Sequence, residues 1–264
     1  MPYRIDARDC RDDSFDRLVE LGALDVELSR ERVLSALLPD SITPEQVTSA
    51  LGVDAIAVSA AVGRDADSVW VLNPRPIRIG RLEIVPAHLT SPAGGLRLID
   101  AAAFGTGLHP TTALCLEALD EAVQSALPDE ILDVGTGSGV LALAALALGV
   151  PRALAIDIDA EALRVAGENA DVNGMRERLE LARGGPETVA GVWPLVLANV
   201  LAAPLIEMAP ALVRRVGHHG RLVLSGIPAS VEPDVDRAYR HLGMKRVDVK
   251  SRAGWVALVL QASW

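Results

Sequence analysis

The sequence predicts an α/β protein, a doubly wound and mostly parallel sheet preceded by a small α+β domain. Three observations carry that prediction. From about residue 93 strand and helix patterns alternate, an order that builds a parallel sheet with helices on both faces. Within that stretch a buried strand ending at Val134 passes through Gly135-Thr136-Gly137-Ser138-Gly139 into an apolar helix. Ahead of residue 64 the elements follow the order βαββαβ, that of a ferredoxin-like domain.

In the first domain, residues 1–63, Tyr3 to Ile5 reads as a strand. Phe15, Leu18, Val19 and Leu21 fall on one face of a helix. Ala23 to Leu28 and Arg32 to Leu38 read as two paired strands, and Thr43 followed by Pro44 starts a helix reaching about Leu51. Ala55 to Val62 is rich in β formers. Pro74, Pro76, Pro86 and Pro92 then interrupt regular structure, so residues 64–92 are expected to be a linker with short strands around Ile77 and Leu82 to Val85.

The second domain is expected over residues 93–264. Its strands are Ile131 to Val134, Ala153 to Ile156, Leu179 to Ala182, Leu195 to Ala198 and Arg221 to Ser225, with helices from Val140 to Leu148 and from Ala160 to Asn173. Met244 to Lys250 and Trp255 to Leu260 read as two strands joined by Arg252-Ala253-Gly254. A hairpin is antiparallel, so this end of the sheet departs from a pure dinucleotide fold.

Bulk properties narrow the function. Half of the 264 residues are hydrophobic and only 3% are aromatic, so Leu, Val, Ala and Ile must build the core. The longest apolar run, Val140 to Val150, is about half of what a membrane span requires, and Arg4, Asp6, Arg8 and Asp9 interrupt any opening signal pattern. A cytoplasmic protein with no membrane partner is expected. Cys10 and Cys115 are far apart and lack neighbouring ligand spacing, so neither a disulfide framework nor a metal site is indicated. A net charge of −10 argues against direct nucleic-acid binding and suits a basic protein partner.

Glycines at a strand-to-helix turn let the backbone approach a ligand closely, because no Cβ intervenes. Gly135, Gly137 and Gly139 alternate; the G-x-G-x-x-G form would need a third glycine where Val140 stands, and no Lys-Ser/Thr pair follows to make a phosphate-cradling loop. A nucleoside-like cofactor at the carboxyl ends of the strands is the remaining reading. Asp157 closes the next strand, 22 residues after Gly135, where a carboxylate can accept from both ribose hydroxyls; Asp159 fills the competing role of helix cap more naturally. Asn199 ends the strand Leu195 to Ala198 and offers donor and acceptor to the same crevice, its alternative being a turn or cap residue. A second glycine-rich surface, Ala103-Phe104-Gly105-Thr106-Gly107-Leu108-His109-Pro110-Thr111-Thr112, precedes the first and points to a cofactor with a group to transfer.

The sequence resembles the PrmA family, bacterial enzymes that methylate ribosomal protein eleven of the large subunit. Ala103 to Leu116, Asp133 to Leu141, Ile156 to Asp159, Asn169 with Asn173-Gly174, and Ala198 to Pro204 carry the resemblance, which spans most of residues 77–262. It implies a class I methyltransferase domain using S-adenosyl-L-methionine, a linker, and an N-terminal ferredoxin-like domain that recognises the large-subunit ribosomal protein. It also implies cofactor contacts from Phe104, Gly105 and Thr106 near the methyl group, and from Thr112, Gly135, Gly137, Asp157 and Asn199. The approach to the first loop, Asp100-Ala101-Ala102-Ala103-Phe104, is shorter than the family's usual Asp-Pro-Gly-x-Ala-Phe; Leu108 replaces a common threonine and His88 a common tryptophan.

The expected activity is methyl transfer to amino groups, lysine side chains and the N-terminal amine included, by a monomer without metal. Asn199 is the expected catalytic residue, orienting a neutral amine. His109 is read as a brace for its loop rather than as a general base. Two alternatives stay open at this level, a related methyltransferase of another protein lysine or amine or amide nitrogen, and a cofactor-binding module without turnover.

Overall fold

The structure, a computed structural model, describes residues 3–8, 10–11, 13–28, 33–60, 76–87, 95–99 and 109–264. The chain divides into two units, Met1–Arg75 and Pro76–Trp264. In the first, β1 (Tyr3–Ala7), α1 (Ser14–Leu21), β2 (Asp25–Leu28), β3 (Leu34–Leu38), α2 (Pro44–Leu51) and β4 (Ala57–Ala60) follow one another in the βαββαβ order read from the sequence. The strands pair antiparallel in the order β2-β3-β1-β4. Thr43 and Gln46 exchange side-chain and backbone hydrogen bonds in a capping box that starts α2.

Leu18, Val47 and Leu51 from the two helices close over Ile5, Leu34 and Leu38 of the sheet. The expected apolar face of α1 is not the buried one. Ser14 and Leu18 are buried and Leu21 half-buried, whereas Phe15 is 43% and Val19 53% exposed. An eight-residue helix presents one narrow stripe to its sheet, and Phe15 and Val19 lie round the helix from it.

The second unit begins inside the stretch read as a linker. β5 (Ile77–Ile79) and β6 (Leu82–Pro86) pair antiparallel, β7 (Leu96–Leu98) joins β6 in parallel, and Ile79, Leu82, Ile84, Leu96 and Leu98 are buried in this unit's core. The C-terminal part of the expected linker is thus built into the second unit, because its apolar positions alternate as a half-buried strand requires. Residues 61–75 lie outside the described residues.

Next come α3 (Pro110–Ser125), β8 (Glu130–Val134), α4 (Val140–Ala147), β9 (Arg152–Asp157), α5 (Ala160–Val172), β10 (Leu179–Arg183), β11 (Trp193–Asn199), α6 (Ala202–Val213), β12 (Val216–Pro228), α7 (Glu232–Arg240), β13 (Met244–Arg252) and β14 (Trp255–Ala262). Helices α3, α6 and α7 and strand β7 extend the pattern read from the sequence. The seven-stranded sheet has the order β10-β9-β8-β11-β12-β14-β13. Its first five strands are parallel, and the hairpin β13–β14 adds antiparallel to β12 as expected. The turn is Ala253-Gly254, both at positive φ (49° and 80°), as a two-residue hairpin requires.

From β8 the chain steps outward through β9 and β10, then returns to β11 on the other side of β8 and continues to β12. This reversal is a topological switch point, where open α/β sheets form their ligand crevice at the carboxyl ends of the strands. Alternate strand residues feed two cores. Ile131, Leu195 and Leu197 meet α3 and α4, while Leu132, Val134, Val196 and Ala198 meet α6 and α7. Among the described residues no helix is long and apolar enough to cross a membrane.

Candidate functional site

Strands β8, β9 and β11 deliver Gly135, Asp157 and Asn199 to the same end of the sheet, beside the switch point. Gly135 and Thr136 donate their backbone N–H groups to the Ile156 carbonyl at 2.9 and 3.0 Å, which ties the glycine loop to β9. Gly137 donates its N–H to Asp157 Oδ2 at 3.0 Å, and Asp159 donates its own to Asp157 Oδ1 at 3.0 Å. The half-buried Asp157 carboxylate therefore spans the loop and the next helix start, and each oxygen keeps acceptor capacity for a further donor. Asp159 caps α5 by accepting from the Glu161 N–H, the division of labour expected for these two acids.

Two of the glycines are required by more than their turn. At Gly135, φ 71°, a Cβ would overlap the Val200 side chain that follows Asn199. At Gly139, φ 81°, a Cβ would press on Ala166 of α5 at 3.0 Å, so this glycine sets how closely α4 and α5 pack.

Asn199 is half-buried at the end of β11. Its Nδ2 donates to Thr112 Oγ1 at 3.3 Å, and its Oδ1 is buried without a hydrogen-bond partner among the described residues. A buried acceptor left unpaired costs roughly 1–3 kcal/mol, so this atom is suited to a donor that arrives with a ligand. Leu201, not Asn199, is the residue preceding α6, which removes the capping alternative.

The first turn of α3 is fixed from three sides. Thr112 reaches Asn199 on β11, the Thr111 carbonyl accepts from Ser225 Oγ on β12 at 2.8 Å, and the His109 ring meets Trp255 on β14 edge-on with centroids 5.2 Å apart. His109 is the helix cap: its Nδ1 accepts from the Thr111 N–H at 3.3 Å and lies 2.7 Å from Thr111 Oγ1. The brace anticipated for His109 is therefore a capping interaction. Phe104, Gly105 and Thr106, with the rest of residues 100–108 and His88, lie outside the described residues.

Asp133, fully buried at the root of the glycine loop, was not singled out from the sequence. Its Oδ2 accepts from Thr136 Oγ1 at 2.6 Å and from the Ala142 N–H at 3.3 Å. Burial pushes its carboxyl up to about 7; the bonds from Thr136 and Ala142 oppose that rise and the nearby Asp157 charge adds to it. Burial, with the neighbouring Asp133, likewise raises the Cys115 thiol far above its ordinary value, so Cys115 is no nucleophile. Asn169, buried on α5, accepts from the Ile99 N–H at 2.7 Å and donates to the Ser138 carbonyl at 2.8 Å, joining the exit of β7 to the glycine loop.

Ser225 and Trp255 gave no sequence signal, since neither belongs to a motif; only the strand order brings them to α3. Ile158, the apolar residue that follows Asp157, is 75% exposed.

Comparison with known proteins places these features in context. Residues 16–263 match the model of the family described as Ribosomal protein L11 methyltransferase (PrmA). The chain is 40% identical over 210 residues to the ribosomal protein L11 methyltransferase of Pelobacter propionicus, covering 76% of this chain and 68% of that protein. The corresponding protein of Geotalea daltonii is 39% identical over 218 residues, covering 77% and 69%. A crystal structure of the ribosomal protein L11 methylase from Lactobacillus delbrueckii subsp. bulgaricus superposes with a TM-score of 0.66 at 30% identity, over 72% of this chain and all of that one.

Proposed function

Since the chain belongs to the ribosomal protein L11 methyltransferase family, we propose that it transfers methyl groups from S-adenosyl-L-methionine to amino groups of ribosomal protein L11. Lysine side chains, and the N-terminal amine with them, are the proposed acceptors. The observation that carries this reading is the meeting of the glycine loop, the Asp157 carboxylate and the unpartnered Asn199 oxygen at the switch point.

The residues present fit the cofactor. Gly135 and Gly137, both at positive φ, shape the strand-to-helix turn at the switch point, and Asp157 has acceptor capacity left for ribose hydroxyls. The exposed Ile158 offers an apolar face for the base. Phe104, Gly105 and Thr106 are assigned to its methyl side, and Thr112 to a further cofactor contact. When bound, S-adenosyl-L-methionine would supply a methyl group activated on a sulfonium: as an amine lone pair forms the new N–C bond, the sulfur would take the S–C electron pair and leave as a thioether.

The chain's own task is alignment and the exclusion of water. A lysine enters with a reference pKa of about 10.4, so the site must favour its neutral form, as an apolar surround does. The Asn199 oxygen accepts an amine N–H and leaves the nitrogen lone pair directed elsewhere. His109 has no proton to take in this scheme, because its Nδ1 is committed to the start of α3.

The N-terminal unit, acidic through fourteen Asp and Glu against eight Arg in residues 1–75, is proposed to recognise the basic ribosomal protein. A cytoplasmic monomer is part of the same proposal. The test is incubation with methyl-labelled cofactor and purified L11, followed by mass mapping. Label on L11 amino groups is expected; cofactor binding without transfer to any protein would overturn the proposal in favour of a binding module.

A further inference from the structure

We propose that Asn173, at the carboxyl end of α5, is a positioning residue for S-adenosyl-L-methionine. Its amide fixes β7 at the point where the chain departs for residues 100–108, the segment whose Phe104, Gly105 and Thr106 are assigned to the cofactor's methyl side. The proposal rests on that assignment.

Strand β7 is three residues long and lies at the edge of its sheet, where the Ala87 N–H beyond β6 donates to the Leu98 carbonyl at 2.7 Å. Alternation along a strand turns the N–H and C=O of Arg97 to the opposite edge, which has no strand beside it. Asn173 takes both groups. Its Oδ1 accepts from the Arg97 N–H at 2.8 Å, and its Nδ2 donates to the Arg97 carbonyl at 2.6 Å. A side-chain amide carries acceptor and donor side by side, so one asparagine stands in for the missing neighbour strand.

Ending the helix does not account for these bonds. Asn173 Nδ2 also donates to the Asn169 carbonyl at 2.7 Å, which serves α5, but the two bonds to Arg97 serve only β7. Leu96 and Leu98 hold the strand against the core, yet apolar contact has no direction, and hydrogen bonds set the position along the strand. One helical turn before Asn173, Asn169 accepts from the Ile99 N–H at 2.7 Å. Residues 100–108 therefore start from a post fixed by α5 and arrive at His109, which caps α3 and meets Trp255.

The two asparagines differ in what else they hold. Asn169 also donates to the Ser138 carbonyl of the glycine loop, and that loop is bonded to Asp157 through the Gly137 N–H. Asn173 has no bond to the glycine loop. It acts on the methyl side of the cofactor alone, whereas Asn169 acts on both sides.

The test is calorimetric titration of the full chain with S-adenosyl-L-methionine and with adenosine, which lacks the sulfonium, the methyl group and the amino-acid part. N173A is expected to weaken S-adenosyl-L-methionine about fivefold or more while adenosine stays within about twofold of wild type; N169A is expected to weaken both. Loss of general stability would not separate the two ligands. Asn173 has φ −96° and ψ 0°, which alanine can adopt. Should N173A not fold, N173D takes its place with the same expected contrast, since it keeps the acceptor and loses the NH2.

S-adenosyl-L-methionine affinity within about twofold of wild type in N173A, or equal weakening of both ligands, would overturn the inference. F104A separates it from its premise. If F104A binds S-adenosyl-L-methionine as wild type does, the methyl-side assignment falls first. If F104A is weakened and N173A is not, only the role of Asn173 falls.

Discussion

Asp133 occupies a strand position that alternation assigns to the apolar side shared with Ile131, and it pays for that place with a carboxyl lifted to about 7. A folded-state value above the unfolded reference of about 3.9 means that the native protein holds a proton the unfolded chain has released. The contribution of Asp133 to stability therefore falls as pH rises from about 4 to about 7 and is level above that. Asp133→Asn keeps an acceptor for Thr136 and Ala142 and removes the titration. Relative to wild type the variant should gain roughly 2 kcal/mol between pH 5 and pH 8, read from urea unfolding at both pH values. A wild-type-minus-variant difference that does not change with pH would count against the raised value. Asn199 gives a second expectation at this scale: Asn199→Ala should lower methyl transfer far more than cofactor affinity measured by calorimetry. Equal losses in both would remove its orienting role.

Helix α3 is the element on which the site turns. Its first turn is fastened to three strands, and two exposed ion pairs, Arg252 with Glu117 and Lys250 with Glu121, tie it to β13. Arg81 and Asp120 tie it to the turn between β5 and β6. His109→Ala removes the cap and should cost about 1 kcal/mol in unfolding free energy, whereas His109→Asn, with a side chain suited to capping, should cost little. The asparagine variant should also keep the wild-type pH–rate profile; loss of an acid-side limb would restore His109 as a general base. Asn169 makes a comparable joint between β7 and the glycine loop. Asn169→Ala removes the hydrogen bonds to the Ile99 N–H and the Ser138 carbonyl and should cost about 1–3 kcal/mol, with weaker cofactor binding by calorimetry as the accompanying sign.

For the molecule as a whole, the net charge of −10 acts on encounter rather than on chemistry. With a basic ribosomal protein as substrate, raising the salt concentration should raise KM for L11 and leave kcat nearly constant. A KM insensitive to salt would argue that charge plays no part in recognition.

How much of this could be read beforehand depends on the range of the interaction. The glycine loop, the division between Asp157 and Asp159, the Thr43 start of α2 and the Ala253-Gly254 turn are local. Each is decided by residues within a few positions, so the sequence states them. Helix α3 was hidden because it follows a glycine-rich loop and is buried on nearly every side, which erases the one-sided periodicity that marks a helix. Phe15 and Val19 misled because periodicity says which residues could share a face but not which face the sheet will cover.

By itself, then, the sequence determined the strand–turn–helix units, their parallel order and the cofactor loop, because backbone geometry and apolar spacing act over short distances. The tertiary structure alone decided the partners of those units. Thr112 and Asn199 are 87 residues apart, and Ser225 and Thr111 are 114 apart. Only the reversal of strand order beside β8 puts them within hydrogen-bonding reach, since side chains that meet across a sheet are chosen by its topology and not by their distance along the chain.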